Sequence, residues 1–581
     1  MLRAWWERWP GRLEWELGEL TAAGVAHQLD PAAREAGYIR LDLWPEIDGE
    51  RLHLVALFPD LYPFFRFEVL APDLELPHHQ HPFQKNLCLL GRATFNWDSD
   101  DSLAGFLRTR LPQVLRAGRA EDPAAAVGLE ERQGEPFGDY YPYEPRSSLL
   151  VDSAWTIGPG EAGGRLVIGA EGPPARLLRG AVLEIRDAAG RVLVGADPTL
   201  TRRYAHVLKG RWVRSPVPIG EGDPTRFLNA LVALDPRLER PLWQDVEGGR
   251  LDVIGVLFPE EVGWRRNGDG WAFLVRTDAT QAPRRDAGKR GAIVGQEVRY
   301  LARPGRAGRG DLAARVPELG PLADRRVALF GLGALGAPLA LDLARAGLGG
   351  LRLLDHDVVE AGTTVRWPFG LGVVGYPKAT VLADTIGMHY PYSEARPFVH
   401  RLGGMPDDVR ADRVVLDEVL AGVDLIVDAT AEWGVHHALD ALARERGLPY
   451  LYAFATPGYW GGLVARIRPG KTAGCWGCLE LALRDGGAIP RPPHDPAGSV
   501  QPPGCAEPTA PGAGFDVAQV ALAAVRLAVG TLTAGAPGAY PDVDWDVATV
   551  ALRDRAGRAI APRWDTFALD RHPECAACAG W

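Results

Sequence analysis

The sequence predicts an α/β multidomain protein with an N-terminal α+β domain, a β-rich middle domain and a C-terminal Rossmann-like domain that carries structural zinc. Three observations predict it. Between Val327 and Lys378 an apolar run, VALF, leads into Gly331, Gly333 and Gly336, then an Ala/Leu-rich segment of helical spacing, then a second apolar run, LRLLD. That order is strand, tight turn, helix, strand. Two Cys-x-x-Cys pairs, Cys475/Cys478 and Cys575/Cys578, stand far apart near the C-terminal end. Upstream of both, apolar and polar residues alternate in short runs of strand period.

At 581 residues the chain has room for about three or four domains. Residues 1–120 form the first. MLRAWWERWPGRLEWELGEL mixes Arg and Glu through its apolar positions, so it reads as an amphipathic helix broken near Pro10 and not as a signal peptide. YIRLDLW and RLHLVALF alternate as strands, FPDLYPFFRFEVL follows, and SLAGFLRTRLPQVLRAG closes the domain as a helix. Residues 121–146 are rich in Pro, Gly and charge and read as a linker.

Residues 147–290 contain GRLVIGA, AVLEIRDAAGRVLVG, RLDVIGVLF and GWAFLVRT, short β runs with Gly-rich turns and no catalytic constellation. They read as a spacer or partner-docking module. The nucleotide-binding domain is expected over 291–581. Arg299, Arg303, Arg306 and Arg309 precede its first strand in a Gly-rich run, where arginines are usually solvated. Further strands are expected at DLIVDAT and LPYLYAF, then a loop over 485–514 and the helix FDVAQVALAAVRLAVG. This order indicates a mostly parallel sheet.

Composition narrows the class. With 46% hydrophobic and 24% charged residues the chain is an ordinary globular one, expected in the cytoplasm. No uninterrupted apolar run reaches the roughly 18 to 20 residues that span a bilayer. The net charge of −10, without a basic block, argues against a nucleic-acid partner. Lysine is scarce beside arginine, as a GC-rich genome would give, which makes Lys378 informative. In a cytosolic chain the paired cysteines read as four thiolates around one tetrahedral Zn2+ more readily than as disulfides or a redox dithiol.

The glycine turn and the helix after it can receive a phosphate, because backbone N–H groups and the positive end of the helix dipole face it. Asp355, about 20 residues further on, would hold a ribose hydroxyl in a dinucleotide enzyme equally well. Asp357, Arg366, Lys378 and Asp428 discriminate. Hydride transfer gains nothing from a fixed Arg and Lys. Adenylation does, since two cations neutralise the α-phosphate and the departing pyrophosphate while a strand-end carboxylate holds Mg2+.

On these motifs, residues 295–581 resemble the ThiF/MoeB/ubiquitin-activating family of adenylating enzymes. The resemblance implies that Gly331, Gly333 and Gly336 line ATP, that Asp355 holds the ribose, that Arg366 and Lys378 contact phosphates, and that Asp357 is among the cofactor-binding residues. It also implies that Asp428 binds Mg2+ and that Cys475, Cys478, Cys575 and Cys578 hold Zn2+. Thr363 departs from the pattern, standing where the family has Asn in Asn-Leu-x-Arg. Cys505, in the loop PPGCAEPTAPGAGFD just before a helix, is where the family accepts the acyl group as a thioester.

Cys88 lies in HHQHPFQKNLCLLGRATFNWDSDDSL, after Phe58-Pro-Asp-Leu-Tyr62-Pro63 and before Trp97. This resembles the ubiquitin-conjugating fold over residues 1–120, in which the cysteine carries the modifier. His81-Pro82-Phe83 replaces His-Pro-Asn, so the oxyanion-stabilising asparagine is missing from its place, with His79, His81 and Asn86 as candidates to replace it.

The combined resemblance is to the fused conjugating-plus-activating enzymes of bacterial antiphage operons, including CBASS. It implies adenylation of the C-terminus of a ubiquitin-like protein or a cGAS-like nucleotidyltransferase. Thioester transfer to Cys505 and then Cys88 would follow, with ligation to a target lysine amine by a homodimer formed through the adenylation domain. The alternatives are a sulfur-carrier adenylyltransferase of thiamine or molybdopterin type and an ATP-sensing scaffold with inert cysteines. A sulfur-transfer enzyme has no use for Cys88 in its setting.

Overall fold

The computed structural model describes residues 3–89, 97–119, 134–204, 206–263, 266–279, 297–404, 411–500 and 509–579. The chain divides into two compact units, Met1–Ala196 with Tyr204–Arg306, and Asp197–Arg203 with Ala307–Trp581.

The first unit opens with an antiparallel four-stranded sheet in the order Ala26–Leu29, Ile39–Trp44, Leu54–Phe58, Glu68–Leu70. Ile39, Leu41 and Leu43 alternate inward with no exposure, as the two-residue repeat of the sequence requires. Helices Pro10–Ala22 and Leu103–Thr109 pack on that face, the second started by Ser102, whose Oγ accepts from Gly105 N at 3.0 Å. A buried polar knot ties the FPDLYP turn to both helices. Tyr62 donates to Glu16, Arg12 donates to the Tyr62 hydroxyl at 2.6 Å, and Glu16 accepts from Leu103 N at 3.0 Å.

The middle strands form one sheet that curls shut, because Arg179–Asp187 pairs with Ser148–Val151 along one edge and with Gly163–Ala170 along the other. Two differences from the sequence reading concern its ends. Val298–Arg306, expected at the start of the nucleotide-binding domain, pairs with Arg266–Ala279 and Ser148–Val151 and belongs to the middle sheet. Its arginines are partnered, Arg303 lying 5.1 Å over Tyr143 and Arg306 donating to Glu260 at 3.1 Å, so their charge does not mark a solvated loop. At the other end, residues 134–146 of the expected linker are strapped down. Gly138 N donates to Glu260 at 2.8 Å and the Tyr141 hydroxyl to Ile219 O at 2.8 Å.

The second unit is built on an eight-stranded sheet. Glu394–Phe398, Gly350–Leu354, Arg326–Phe330, Leu425–Asp428 and Tyr450–Ala455 run parallel, and Gly461–Ile467, Val547–Arg553 and Ala559–Phe567 continue antiparallel. Strand Arg326–Phe330 shows why the first runs are apolar without alternation: Val327 and Leu329 enter one core, Ala328 and Phe330 the other. Helix Gly514–Thr533 is long and apolar enough to cross a membrane by composition. Here Val520, Ala524, Leu527 and Ala528 lie in the core on one face of the sheet.

Candidate functional site

The strand order makes the first site. Arg326–Phe330 has Gly350–Leu354 on one side and Leu425–Asp428 on the other, so connections leave the sheet in opposite directions from this point and open a crevice at the strands' C-terminal ends. Gly331 turns there with φ +79°, and a Cβ on it would meet Thr430 N at 2.7 Å. A Cβ on Gly336, the first residue of helix Gly336–Arg345, would lie 1.8 Å from Gly331 O. Gly333 has open space where its Cβ would be, the arrangement that lets a ligand approach the backbone.

The acidic residues are used differently from one another. Asp355 is nearly buried and accepts from Leu332 N at 2.6 Å and Asp357 N at 2.8 Å, so it shapes the glycine turn. Trp367 pins the same turn by donating to Leu332 O at 2.8 Å. Lys378 begins helix Lys378–His389 and donates to Asp357 at 2.8 Å. Partial burial works against the Asp357 carboxylate, but the Lys378 hydrogen bond and charge outweigh it and hold the group below the usual range.

Asp428 is fully buried. It accepts from Thr430 N at 3.0 Å, Thr430 Oγ1 at 2.7 Å, His436 Nδ1 at 2.8 Å and the Tyr450 hydroxyl at 2.7 Å. All four acceptor positions of the carboxylate are engaged by protein, so it fixes the far wall of the crevice and presents no oxygen to a cation. The expected direct Mg2+ contact therefore differs from what this geometry allows. Among the described residues Asp355, His356 and Asp357 are the carboxylate group whose ligand atoms could gather on a metal ion. The partners of Asp428, His436 and Tyr450, carry no sequence signal, since each reaches it from a separate element.

Arg366 donates to Thr509 Oγ1 and Ala510 O and stands 5.8 Å over the Tyr459 ring. It thus holds the chain on one side of the Cys505 loop, and Val500 and Thr509 pair across that loop's base at 2.7 and 2.9 Å. Cys505 itself lies outside the described residues. Thr363 Oγ1 caps its own turn through Glu360 O at 2.8 Å.

The four paired cysteines converge. Sγ–Sγ separations are 3.8 Å for Cys475–Cys478, 3.5 Å for Cys475–Cys575, 3.6 Å for Cys478–Cys578 and 3.4 Å for Cys475–Cys578. A tetrahedral Zn2+ with Zn–S of roughly 2.3 Å needs about 3.8 Å between sulfurs, so the donor set fits. Burial first, with the neighbouring Asp440, Cys578 and Cys478, drives the Cys475 thiol up, and a dication is what would let four crowded thiolates form here. His572 N already donates to Cys478 Sγ at 3.3 Å, as to a thiolate.

In the first unit Cys88 is exposed at the end of a hairpin. His81 N donates to Asn86 O at 2.8 Å and Cys88 N to His79 O at 2.9 Å, with Gln80 opposite Leu87 between them. Gln80 and Leu87 are buried, whereas Cys88 is exposed. Gln80, which sequence reading missed, anchors the hairpin by donating to Ala71 O at 3.1 Å and Leu74 O at 2.9 Å. Asn86 donates to Glu68 at 2.7 Å, and His81 Nδ1 accepts from Phe83 N at 3.2 Å and Gln84 N at 3.1 Å.

Comparison with family models matches residues 313–537 to the ThiF family and residues 25–149 to Prokaryotic E2 family B. Protein y4oA of Sinorhizobium fredii (strain NBRC 101917 / NGR234) is 31% identical over 606 residues, covering 99% of this chain and 98% of its own. The chain belongs to the ThiF family, fused to an E2-like domain. Protein y4qC of the same organism is 32% identical over 583 residues, 96% of this chain and 94% of its own. The ThiF-family part is 30% identical over 207 residues to the sulfur carrier protein ThiS adenylyltransferase of Bacillus subtilis (strain 168), covering 34% of this chain and 56% of that one. The crevice at Gly331 thus lies within the ThiF-family match, and Cys88 within the E2-like match.

Proposed function

We propose that the chain activates the C-terminal carboxylate of a ubiquitin-like protein, or of a cGAS-like nucleotidyltransferase, and conjugates it to a lysine amine. The observation that carries this reading is the pairing, on one chain, of an adenylating crevice with an exposed hairpin cysteine in an E2-like domain. In the first step the carboxylate oxygen attacks the ATP α-phosphate and pyrophosphate leaves. Gly331, Gly333 and Gly336 admit the phosphates, Lys378 places a cation at them, and Asp357 or Asp355 would hold the Mg2+ that offsets their charge. Cys505 then displaces AMP to form a thioester, Cys88 takes the acyl group by thioester exchange, and a lysine amine attacks it. Each exchange conserves acyl activation, so only adenylation consumes ATP.

The four-cysteine cluster would hold Zn2+, which supplies a structural staple between helix Trp476–Asp485 and the C-terminal segment. A homodimer through the adenylation domain and an antiphage setting in the cytoplasm belong to the same proposal and rest on the resemblance of domain order. ATP–pyrophosphate exchange that requires a candidate protein's intact C-terminus, and falls by about 100-fold or more in Lys378→Ala, is the expected result. Exchange indifferent to the protein substrate defeats the reading. Sulfur incorporated into the activated carboxylate would favour the sulfur-carrier alternative, which the ThiS adenylyltransferase likeness supports.

A further inference from the structure

Between Cys475 and Cys478 stands Trp476, a buried ring that offers a metal ion no ligand atom. The cysteine cluster fixes it in place. Cys475 is the N-cap residue of helix Trp476–Asp485, Cys478 lies in that helix's first turn, and a Cβ on Gly477 would stand 3.3 Å from Cys575 Sγ. The turn that carries Trp476 therefore sits where the four sulfurs put it.

From that turn Trp476 grips helix Trp433–Arg446 twice. Its backbone N–H donates to the buried Asp440 carboxylate at 3.3 Å. Its ring meets His436, one turn earlier on the same helix, at 5.2 Å, with Trp433 at 5.1 Å and His437 at 4.6 Å. Tyr452 also meets the His436 ring, at 4.8 Å. His436 is buried, so its imidazole cannot turn without displacing one of the rings packed on it. Its Nδ1 donates to Asp428 at 2.8 Å. Asp428 in turn accepts from Thr430 N at 3.0 Å, and Thr430 N is the atom that a Cβ on Gly331 would meet at 2.7 Å. Direct contacts thus run from the cysteine turn through Trp476, His436 and Asp428 to the wall against which the glycine turn lies.

We propose that Trp476 and His436 are positioning residues for the nucleotide crevice. The cysteine cluster sets Trp476, Trp476 holds the His436 imidazole on Asp428, and Asp428 sets the Thr430 wall beside Gly331. The cluster then does more than staple the C-terminal segment, because its geometry is felt where the phosphates of ATP enter. This rests on the adenylating reading above. Loss of the His436 donor leaves a buried carboxylate oxygen one partner short, which costs enough for Asp428 to swing toward another donor and take the Thr430 backbone with it.

The test is ATP binding to the full chain in excess Mg2+, measured by calorimetric titration beside the zinc content per chain. His436→Ala leaves the cysteine turn's sequence intact, and Trp476→Leu keeps an apolar side chain there. In chains that retain wild-type metal content each should weaken ATP binding by about tenfold. The double variant should lose no more than the weaker-binding single one, since both substitutions break one path. His436→Asn, whose amide N–H can stand where Nδ1 does, should recover most of the loss. A tryptophan that only fills the core would lower the unfolding midpoint in Trp476→Leu and leave ATP affinity alone. Trp476→Leu chains that retain metal and bind ATP as wild type does overturn the inference, as do losses that multiply in the double variant. Where Trp476→Leu loses its metal, Trp476→Phe takes its place and the same two outcomes decide. Wild type that binds no ATP removes the adenylating reading and the inference with it, whereas wild type that binds ATP no more tightly than His436→Ala removes the inference alone.

Discussion

Gly336 and Glu135 show how much single residues hold in place, the first in the glycine turn and the second at His79. Gly336→Ala would drive a Cβ to 1.8 Å from Gly331 O, and backbone cannot yield as a flexible side chain can. The substitution should cost about 1–3 kcal/mol in denaturant unfolding and remove ATP–pyrophosphate exchange together, since the same displacement opens the turn. Glu135 predicts a pH dependence of stability. Burial pushes its carboxyl up, but the hydrogen bonds and charge of His79 outweigh that and bring it below the ordinary 4.5. A depressed folded value means the group stabilises the fold above the unfolded value, and that contribution is lost as pH falls through the folded one. Wild type should therefore lose unfolding midpoint more steeply below about pH 4.5 than Glu135→Gln, and parallel curves would contradict the buried pair. The glycines were legible because a missing Cβ is written in the sequence. Glu135 was not, because only folding brings it to His79.

At the scale of elements, the cysteine cluster binds helix Trp476–Asp485 to a segment almost at the end of the chain. Purified protein should contain one equivalent of zinc, and Cys575→Ser should lose it and unfold at lower temperature. Unchanged metal content would contradict the site. Spacing alone pointed to this cluster, as it did to the strand–turn–helix at Gly331, because both are local patterns. The closure of the middle sheet was hidden, since short β runs with glycine turns do not say which edges meet. The strap at 134–146 read as linker from its Pro, Gly and charge. Its Phe137, Tyr140, Tyr141 and Tyr143 were the overlooked signal, four aromatics that a solvated linker does not need. The Asp428 carboxylate was placed correctly at a strand end, yet whether such a group faces a ligand or the wall depends on His436 and Tyr450, which the strand does not contain.

For the whole molecule, a ThiF-family domain and an E2-like domain on a single chain are what the proposed relay through Cys505 and Cys88 draws on. The most direct measurement incubates the full chain with ATP, Mg2+ and a candidate ubiquitin-like protein, then resolves adducts with and without reductant. The relay predicts a thiol-sensitive adduct that Cys505→Ala abolishes, and in Cys88→Ala an adduct that forms on Cys505 but is never passed to a lysine. An adduct and ligated product that persist unchanged in both variants would contradict it.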